Sequence, residues 1–225
     1  MSWLAREVNQ CCSVVDLRQY TLHPGRRDAL IDLFDEHFVE GQEVCGMHIA
    51  GQFRDLDDPD RFVWLRGFHS LEARAEALKS FYYGPIWREH AEAANATMLD
   101  SDNALLLEPI HLGPDYPQPT APHPTSPASS VIAGIVHPAA DGFEDHFQHD
   151  LLPILTTLGV SPLAIFRTLP AENNFPALPL RDDTVLVWLA RFADDAAYGV
   201  VRGELGPQWA GQELRLRPTE RSQLR

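Results

Sequence analysis

The chain reads as an α+β protein made of two ferredoxin-like units in tandem, and three observations carry that reading. First, the apolar stretch Arg61-Phe62-Val63-Trp64-Leu65-Arg66-Gly67-Phe68 returns as Val185-Leu186-Val187-Trp188-Leu189-Ala190-Arg191-Phe192, with Trp64 and Trp188 separated by 124 positions. Both copies are rich in β-branched and aromatic residues, as buried strands are. Second, flanking anchors repeat in the same order: Phe34 to Phe38 with Phe143 to Phe147, Phe53-Arg54 with Phe166-Arg167, and Gly84-Pro85-Ile86-Trp87 with Gly206-Pro207-Gln208-Trp209. Third, the elements within each copy follow the order strand, helix, strand, strand, helix, strand, the split βαβ arrangement. Such a unit covers one face of its sheet with helices and leaves the other to be buried against a partner; the second copy supplies that partner.

In the first unit, 14–108, Val14 to Thr21 alternates as a strand and His23-Pro24-Gly25 closes it. From Arg26 to Glu40, Leu30, Leu33, Phe34, His37 and Phe38 recur at helical spacing, and Gly41 is placed to end that helix. Met47 to Arg54 and Arg61 to Phe68 flank the turn-forming run Asp55 to Asp60 and predict an antiparallel pair. Ser70 suits the N-cap of a helix from Leu71 to Ser80, and Pro85 suits the first position of the next. Ala104 to Glu108 supplies the last strand. The second unit, 131–218, repeats the order, with a longer loop from Pro170 to Asp183.

Between the units, residues 109–130 hold seven prolines and predict an extended linker. Residues 1–13 and 219–225 carry no strong pattern and are expected to be tails. With 18 basic against 32 acidic residues the net charge is -14, which disfavours nucleic acid and anionic membranes as partners. Cys11, Cys12 and Cys45 show no CxxC or Cys/His spacing, so neither a disulfide framework nor a zinc site is expected. No signal-like apolar run opens the chain and no stretch approaches a membrane span, so a cytoplasmic protein is expected. There is no phosphate loop, nucleophile elbow or HExxH helix.

The segment Asp16-Leu17-Arg18-Gln19-Tyr20-Thr21-Leu22-His23-Pro24-Gly25 resembles the opening strand and turn of the NIPSNAP family, and Gly84-Pro85-Ile86-Trp87 resembles the start of that family's last helix. The likeness covers Val14 to Pro109 well and Val131 to Pro218 more loosely, because Ile132-Ala133-Gly134-Ile135-Val136 lacks the Leu-Arg-x-Tyr residues. It implies the dimeric α+β barrel, with both sheets here in one chain. That superfamily holds cofactor-free monooxygenases, isomerases, cyclases and haem enzymes, so the fold leaves the chemistry open.

His37 is the first candidate for chemistry, since helical spacing sets it beside Leu30, Leu33 and Phe34, facing the sheet; the alternative is a core histidine bonded to backbone. His146 holds the matching place in unit two. Strand parity puts Arg18 with Tyr20, and Trp64 with Arg66, on common faces, where two arginines could hold a carboxylate or enolate oxygen, or else form ion pairs with Asp16. Tyr82, Tyr83 and Trp87 form an aromatic cluster, and His48 shares its parity with Gln52 and Arg54. The expected function is a cofactor-independent enzyme that rearranges, cyclises or oxygenates a hydrophobic metabolite. His37, Arg18, Tyr20 and Arg54 are its expected catalytic residues; Trp64, Arg66, His48, Tyr83, Trp87 and His146 line the substrate. The rivals are a non-catalytic NIPSNAP-type binding or scaffold protein and a haem enzyme using His137, His146 or His149. Further association into a homodimer stays open.

Overall fold

In the computed structural model, which describes residues 12–119, 121–126, 128–139 and 142–225, eight antiparallel strands close into one barrel with helices on its outside. The first half runs β1 (Val14–Leu22), α1 (Arg27–Leu33), a π-helical turn Phe34–Phe38, α2 (Val39–Glu43), β2 (His48–Asp55), β3 (Arg61–Phe68), α3 (Leu71–Tyr82), α4 (Pro85–Asn95), β4 (Met98–Asp100) and β5 (Ala104–Leu112). The second half runs β6 (Val131–Pro138), α5 (Phe143–His146), a π-helical turn Phe147–Leu151, α6 (Leu152–Thr157), β7 (Pro162–Thr168), β8 (Val185–Phe192), α7 (Asp195–Glu204), a short 3₁₀ turn Pro207–Trp209 and β9 (Gln212–Pro218).

Strand pairing is the same in the two halves, β5-β1-β3-β2 in one and β9-β6-β8-β7 in the other, and the halves join by β2 to β9 and β5 to β7. The half-sheets therefore do more than face each other: their edges hydrogen-bond, so no edge of the eight is left open to template aggregation. β4 lies outside the ring, against the end of β1.

Alternation along each strand divides the apolar residues into three cores. Leu17, Phe53, Leu65, Phe166, Val187, Leu189 and Leu216 fill the barrel, from both halves. Phe34, Phe38, Phe62, Trp64 and Phe81 lie between the first half-sheet and its helices, and Phe147, Leu155, Trp188 and Trp209 between the second and its own. The interior is thus packed with side chains, as an eight-stranded barrel's must be, and room for a ligand is to be sought outside the sheet.

Several expectations are corrected. The first helix continues through Gly41 to Glu43, because a Cβ at Gly41 would sit 3.0 Å from Ile86 Cδ1: the glycine allows close packing of α4 and does not end the helix. β5 extends beyond Glu108 to Leu112, so the linker begins later. The C-terminal stretch packs as well: Thr219, Ser222 and Leu224 are fully buried, and the Leu224 N–H donates to the Ala50 carbonyl. Expectations for residues 1–11, with Cys11, and for Ala140 and Asp141 lie outside the described residues.

The loop Pro170 to Asp183 departs furthest from a local reading. It crosses from the second half onto the helix layer of the first, where Phe175 is buried 5.9 Å from the ring of Tyr82 and Leu178 and Leu180 pack nearby. Asn173 and Asn174 both accept from Arg74 on α3, and Asn174 Nδ2 donates to the Leu71 carbonyl at 2.5 Å. Replacing Asn174 by alanine is expected to destabilise the fold by about 1–3 kcal/mol, since a buried guanidinium loses a partner, and to make residues 170–183 the first site of proteolytic nicking. Urea unfolding and limited proteolysis check the two outcomes.

Candidate functional site

Asp16, Arg18 and Tyr20 point from β1 toward the helices and meet Arg66, Trp64 and Phe62 directly across on β3. Asp16, Arg18, Arg66 and, from α3, Arg74 are all fully buried, three guanidinium groups against a single carboxylate. Asp16 Oδ2 accepts from Arg66 Nε at 3.0 Å and Oδ1 from Arg74 Nε at 2.9 Å. Burial alone would raise the Asp16 pKa, but Arg66, Arg74 and Arg18 outweigh it and hold the carboxyl below its ordinary range. Arg66 reaches on to Gln42 Oε1 at 3.1 Å and lies 4.9 Å from the Trp64 ring, a cation–π distance.

Arg18 differs, for among the described residues it has no carboxylate partner. Its Nε donates to the Tyr20 hydroxyl at 3.0 Å, its Nη2 to the Ser101 carbonyl at 2.9 Å, and its Nη1 is buried without a partner. Burial raises the Tyr20 pKa above its ordinary value, although Arg18 opposes this, so the phenol stays protonated at neutral pH. Beside Tyr20 and Trp64 lies an aromatic slot that Phe34, Phe38, Tyr82 and Trp87 also line, with a free volume of about 30 Å³, room for about one water. A larger cavity of about 520 Å³ lies beneath the loop 168–184 and beside Leu106, the β5 residue across from Asp16.

The second half provides an internal comparison, because the 124-residue offset and the strand register make its positions equivalent. Arg18 pairs with Trp64 as Ile135 pairs with Trp188, and Asp16 with Arg66 as Ala133 with Ala190. Tyr20 corresponds to His137, and Arg74, four residues after the N-cap Ser70, to Tyr198, four after the N-cap Asp194. The second half has thus kept the tryptophan and none of the charges.

Of the sequence candidates, Arg18, Tyr20, Trp64 and Arg66 are brought together, and Trp87 joins the slot wall. His37 is not among them: it stacks on His90 at 3.9 Å in a surface groove with Glu36 and Glu89. The π-helical turn widens the helix there, so Phe34 and Phe38 both face the core and His37 turns aside. A β-bulge between Ile49 and Gly51 breaks the parity proposed for β2, leaving His48 against Cys12 and Gln223, and Gln52 across from Trp64. Arg54 pairs with Asp28 at the surface, Tyr83 is exposed, and His146 is half-exposed, bonded to Asp150 and stacked on Trp209. Asp16, Arg74, Asn173 and Asn174 were not named as site residues; Asp16 alone had a signal, as the acid expected beside the arginines.

His137 Nε2 accepts from Trp188 Nε1 at 3.1 Å, and His149 Nδ1 bonds its own helix at the Asp145 carbonyl. Among the described residues no three His, Cys, Asp or Glu side chains come together as a metal ion requires, and no helix is long and apolar enough to cross a membrane.

No curated protein matches the chain. Among solved structures, an anthrone oxidase-like protein aligns with a TM-score of 0.58 at 13% identity, covering 92% of this chain and 91% of that one. A protein from Fusobacterium nucleatum named as a candidate monooxygenase aligns at 0.55 and 8% identity over 92% and 93% of the two chains. Another so named, from Lactobacillus acidophilus, aligns at 0.53 and 13% over 91% and 93%. These likenesses show the barrel shared across the whole chain. The family model that matches is NIPSNAP, over residues 15–111, the part of the chain that carries Asp16, Arg18, Arg66 and Arg74.

Proposed function

We propose that the protein is a small-molecule enzyme whose site is the aromatic slot of the first half, and that it acts on a hydrophobic, enolisable or phenolic metabolite through an anionic intermediate. The observation that supports this reading is the excess of buried guanidinium over carboxylate, present in one half and replaced by Ala133, Ile135, Ala190 and Tyr198 in the other. Buried charge without full compensation is costly, and a packing role would not need it, as the second half demonstrates. A site of this kind stabilises negative charge as it develops on a substrate oxygen. Once formed, a delocalised enolate can be reprotonated elsewhere, attack an internal carbonyl, or reduce dioxygen. Rearrangement, cyclisation and oxygenation thus share one electrostatic requirement. The names of the barrel neighbours favour the third.

In this reading Arg18 Nη1 meets the developing oxyanion, the protonated Tyr20 supplies a hydroxyl donor, and Trp64, Phe34 and Trp87 clasp the ring. The Phe34–Phe38 turn and the loop bearing Phe175 must shift to admit anything larger than a water. The reaction needs no prosthetic group, since the substrate anion is itself the electron donor. We take the two halves as tandem ferredoxin-like units, the second serving as partner sheet and lid. A non-catalytic binding or scaffold role is the second reading, favoured by the fullness of the slot.

The test is oxygen uptake and product analysis with a panel of anthrones, naphthols and β-diketones. Turnover by the wild type, with a loss of about a hundredfold or more in kcat/KM for Arg18→Met at unchanged Tm, supports the enzyme. Absence of uptake and of any product across the panel favours the binding protein.

A further inference from the structure

A line of polar side chains crosses the sheet beneath the helices of the first half. Arg18 on β1 pairs with Trp64 on β3, Trp64 pairs with Gln52 on β2, and Thr219, just past β9, donates its backbone N–H to the Gln52 carbonyl. Directly opposed residues on neighbouring strands project to the same face, and the Trp64 ring, 4.9 Å from Phe34, marks that face as the helix side. All four residues are at most 1% exposed. Every one of them has unmet hydrogen-bonding capacity: Arg18 Nη1, Trp64 Nε1, Gln52 Nε2 and Oε1, and Thr219 Oγ1.

Buried polar atoms are nearly always partnered, and unmet groups on four neighbouring residues call for a physical cause. The second half differs at the matching tryptophan, although His137 Nδ1 and Trp209 Nε1 are unmet there. There the same tryptophan, Trp188, is flanked by Ile135 and Ile165, and its N–H is taken by His137 Nε2 at 3.1 Å. In the first half the residue equivalent to His137 is Tyr20, and its hydroxyl is engaged by Arg18. The Trp64 N–H is left without a partner, on the one residue of the row that lines the slot.

We propose that Arg18, Trp64, Gln52 and Thr219 form an oxyanion subsite, which binds the carboxylate or enolate oxygens of an aromatic ligand and sets its orientation in the slot. The inference rests on the reading of the slot as a substrate site and adds Gln52 and Thr219 to it. The set suits a resonance-delocalised anion: one guanidinium and one indole donate, and the Gln52 amide and Thr219 hydroxyl reach a second oxygen. Gln52 also offers an acceptor, which favours a ligand carrying an acidic proton beside its anionic oxygen, as an ortho-hydroxy aromatic acid does.

The probe is 1-hydroxy-2-naphthoate, with its methyl ester as the neutral control, titrated into the full chain. Binding is followed by calorimetry and by the indole N–H resonances. Wild type is expected to prefer the acid, with the Trp64 resonance shifting and that of Trp188 unmoved. Gln52→Leu and Thr219→Val, which keep shape and remove polarity, are each expected to weaken the acid by about tenfold or more and to leave the ester unchanged. Their Tm should stay level or rise, because unmet polar groups have been removed from the interior. A drop in Tm with unaltered affinity would show that the row holds structural water, and overturns the proposal. Loss of acid binding in Arg18→Met alone, with the other two variants binding as wild type, removes the row but keeps the enzyme reading. No preference of the wild type for acid over ester overturns the row whatever the oxygen-uptake assay finds.

Discussion

Replacing Asp16 by alanine is expected to destabilise the protein by about 3–5 kcal/mol, the range for removing one partner of a buried ion pair. Its carboxylate is the acid that both Arg66 and Arg74 use, at 3.0 Å and 2.9 Å, and all three groups are fully buried. Without it, three guanidinium groups share one desolvated region. Since small proteins are stable by only about 5–15 kcal/mol, the variant should show a large fall in its urea midpoint. The contrast is Asp57→Ala: Asp57 pairs with Arg215 at 2.5 Å, closer than Asp16 to either arginine, yet Asp57 is exposed and Arg215 only half-buried. Its loss should change stability by about 1 kcal/mol or less. The sign with pH also follows. Asp16 has a folded pKa below the ordinary carboxylate value, so its contribution is present above that value and fades as pH falls through the lowered one. The gap between wild type and Asp16→Ala should therefore close in acid. Equal effects of the two substitutions at neutral pH would mean that burial is not what sets the strength of these pairs.

The same ion cluster shows what a sequence can and cannot convey. Strand parity brought Arg18, Tyr20, Trp64 and Arg66 onto one face, because a two-residue period survives wherever a strand is regular, and β1 and β3 are paired without a break. The likeness of β3 to β8 was legible because both strands are buried on their two faces and keep Trp, Leu and Phe at matching positions. Parity failed on β2, where a bulge after Ile49 swings His48 to the barrel side and sends Gln52 toward the helices. Helical spacing failed at His37 because a π-helical turn is locally wider than the 3.6-residue period that the reading assumed. Asn173, Asn174 and Phe175 had no local signal at all. Their partners Arg74 and Tyr82 lie some hundred positions away, and only the closed ring of strands brings that loop over the first half.

The second half is expected to lose stability between about pH 6.5 and pH 4 through His137. Its imidazole is fully buried, with Phe143 at 5.3 Å and Trp209 at 6.5 Å between ring centroids, and burial pushes its pKa down to about 4, opposed only by the Ala210 backbone carbonyl. Because Nε2 accepts from Trp188, the neutral ring carries its proton on Nδ1. In the unfolded chain the residue titrates near 6.5, so below that pH the unfolded state takes up a proton that the folded state refuses. Its contribution is thus complete above pH 6.5 and disappears as pH falls through 4, a loss on the order of 3 kcal/mol. His48, whose pKa burial also lowers, adds to the same slope, whereas Asp35, pushed up to about 6 by burial, acts with the opposite sign and loses stability as pH rises. A comparison of wild type with His137→Gln isolates the residue, since glutamine keeps an acceptor for the Trp188 N–H and does not titrate. Urea midpoints measured from pH 7.5 to 4 should converge as pH falls, the wild type losing its advantage. Parallel profiles would show that protonation of His137 is not what weakens the second half in acid.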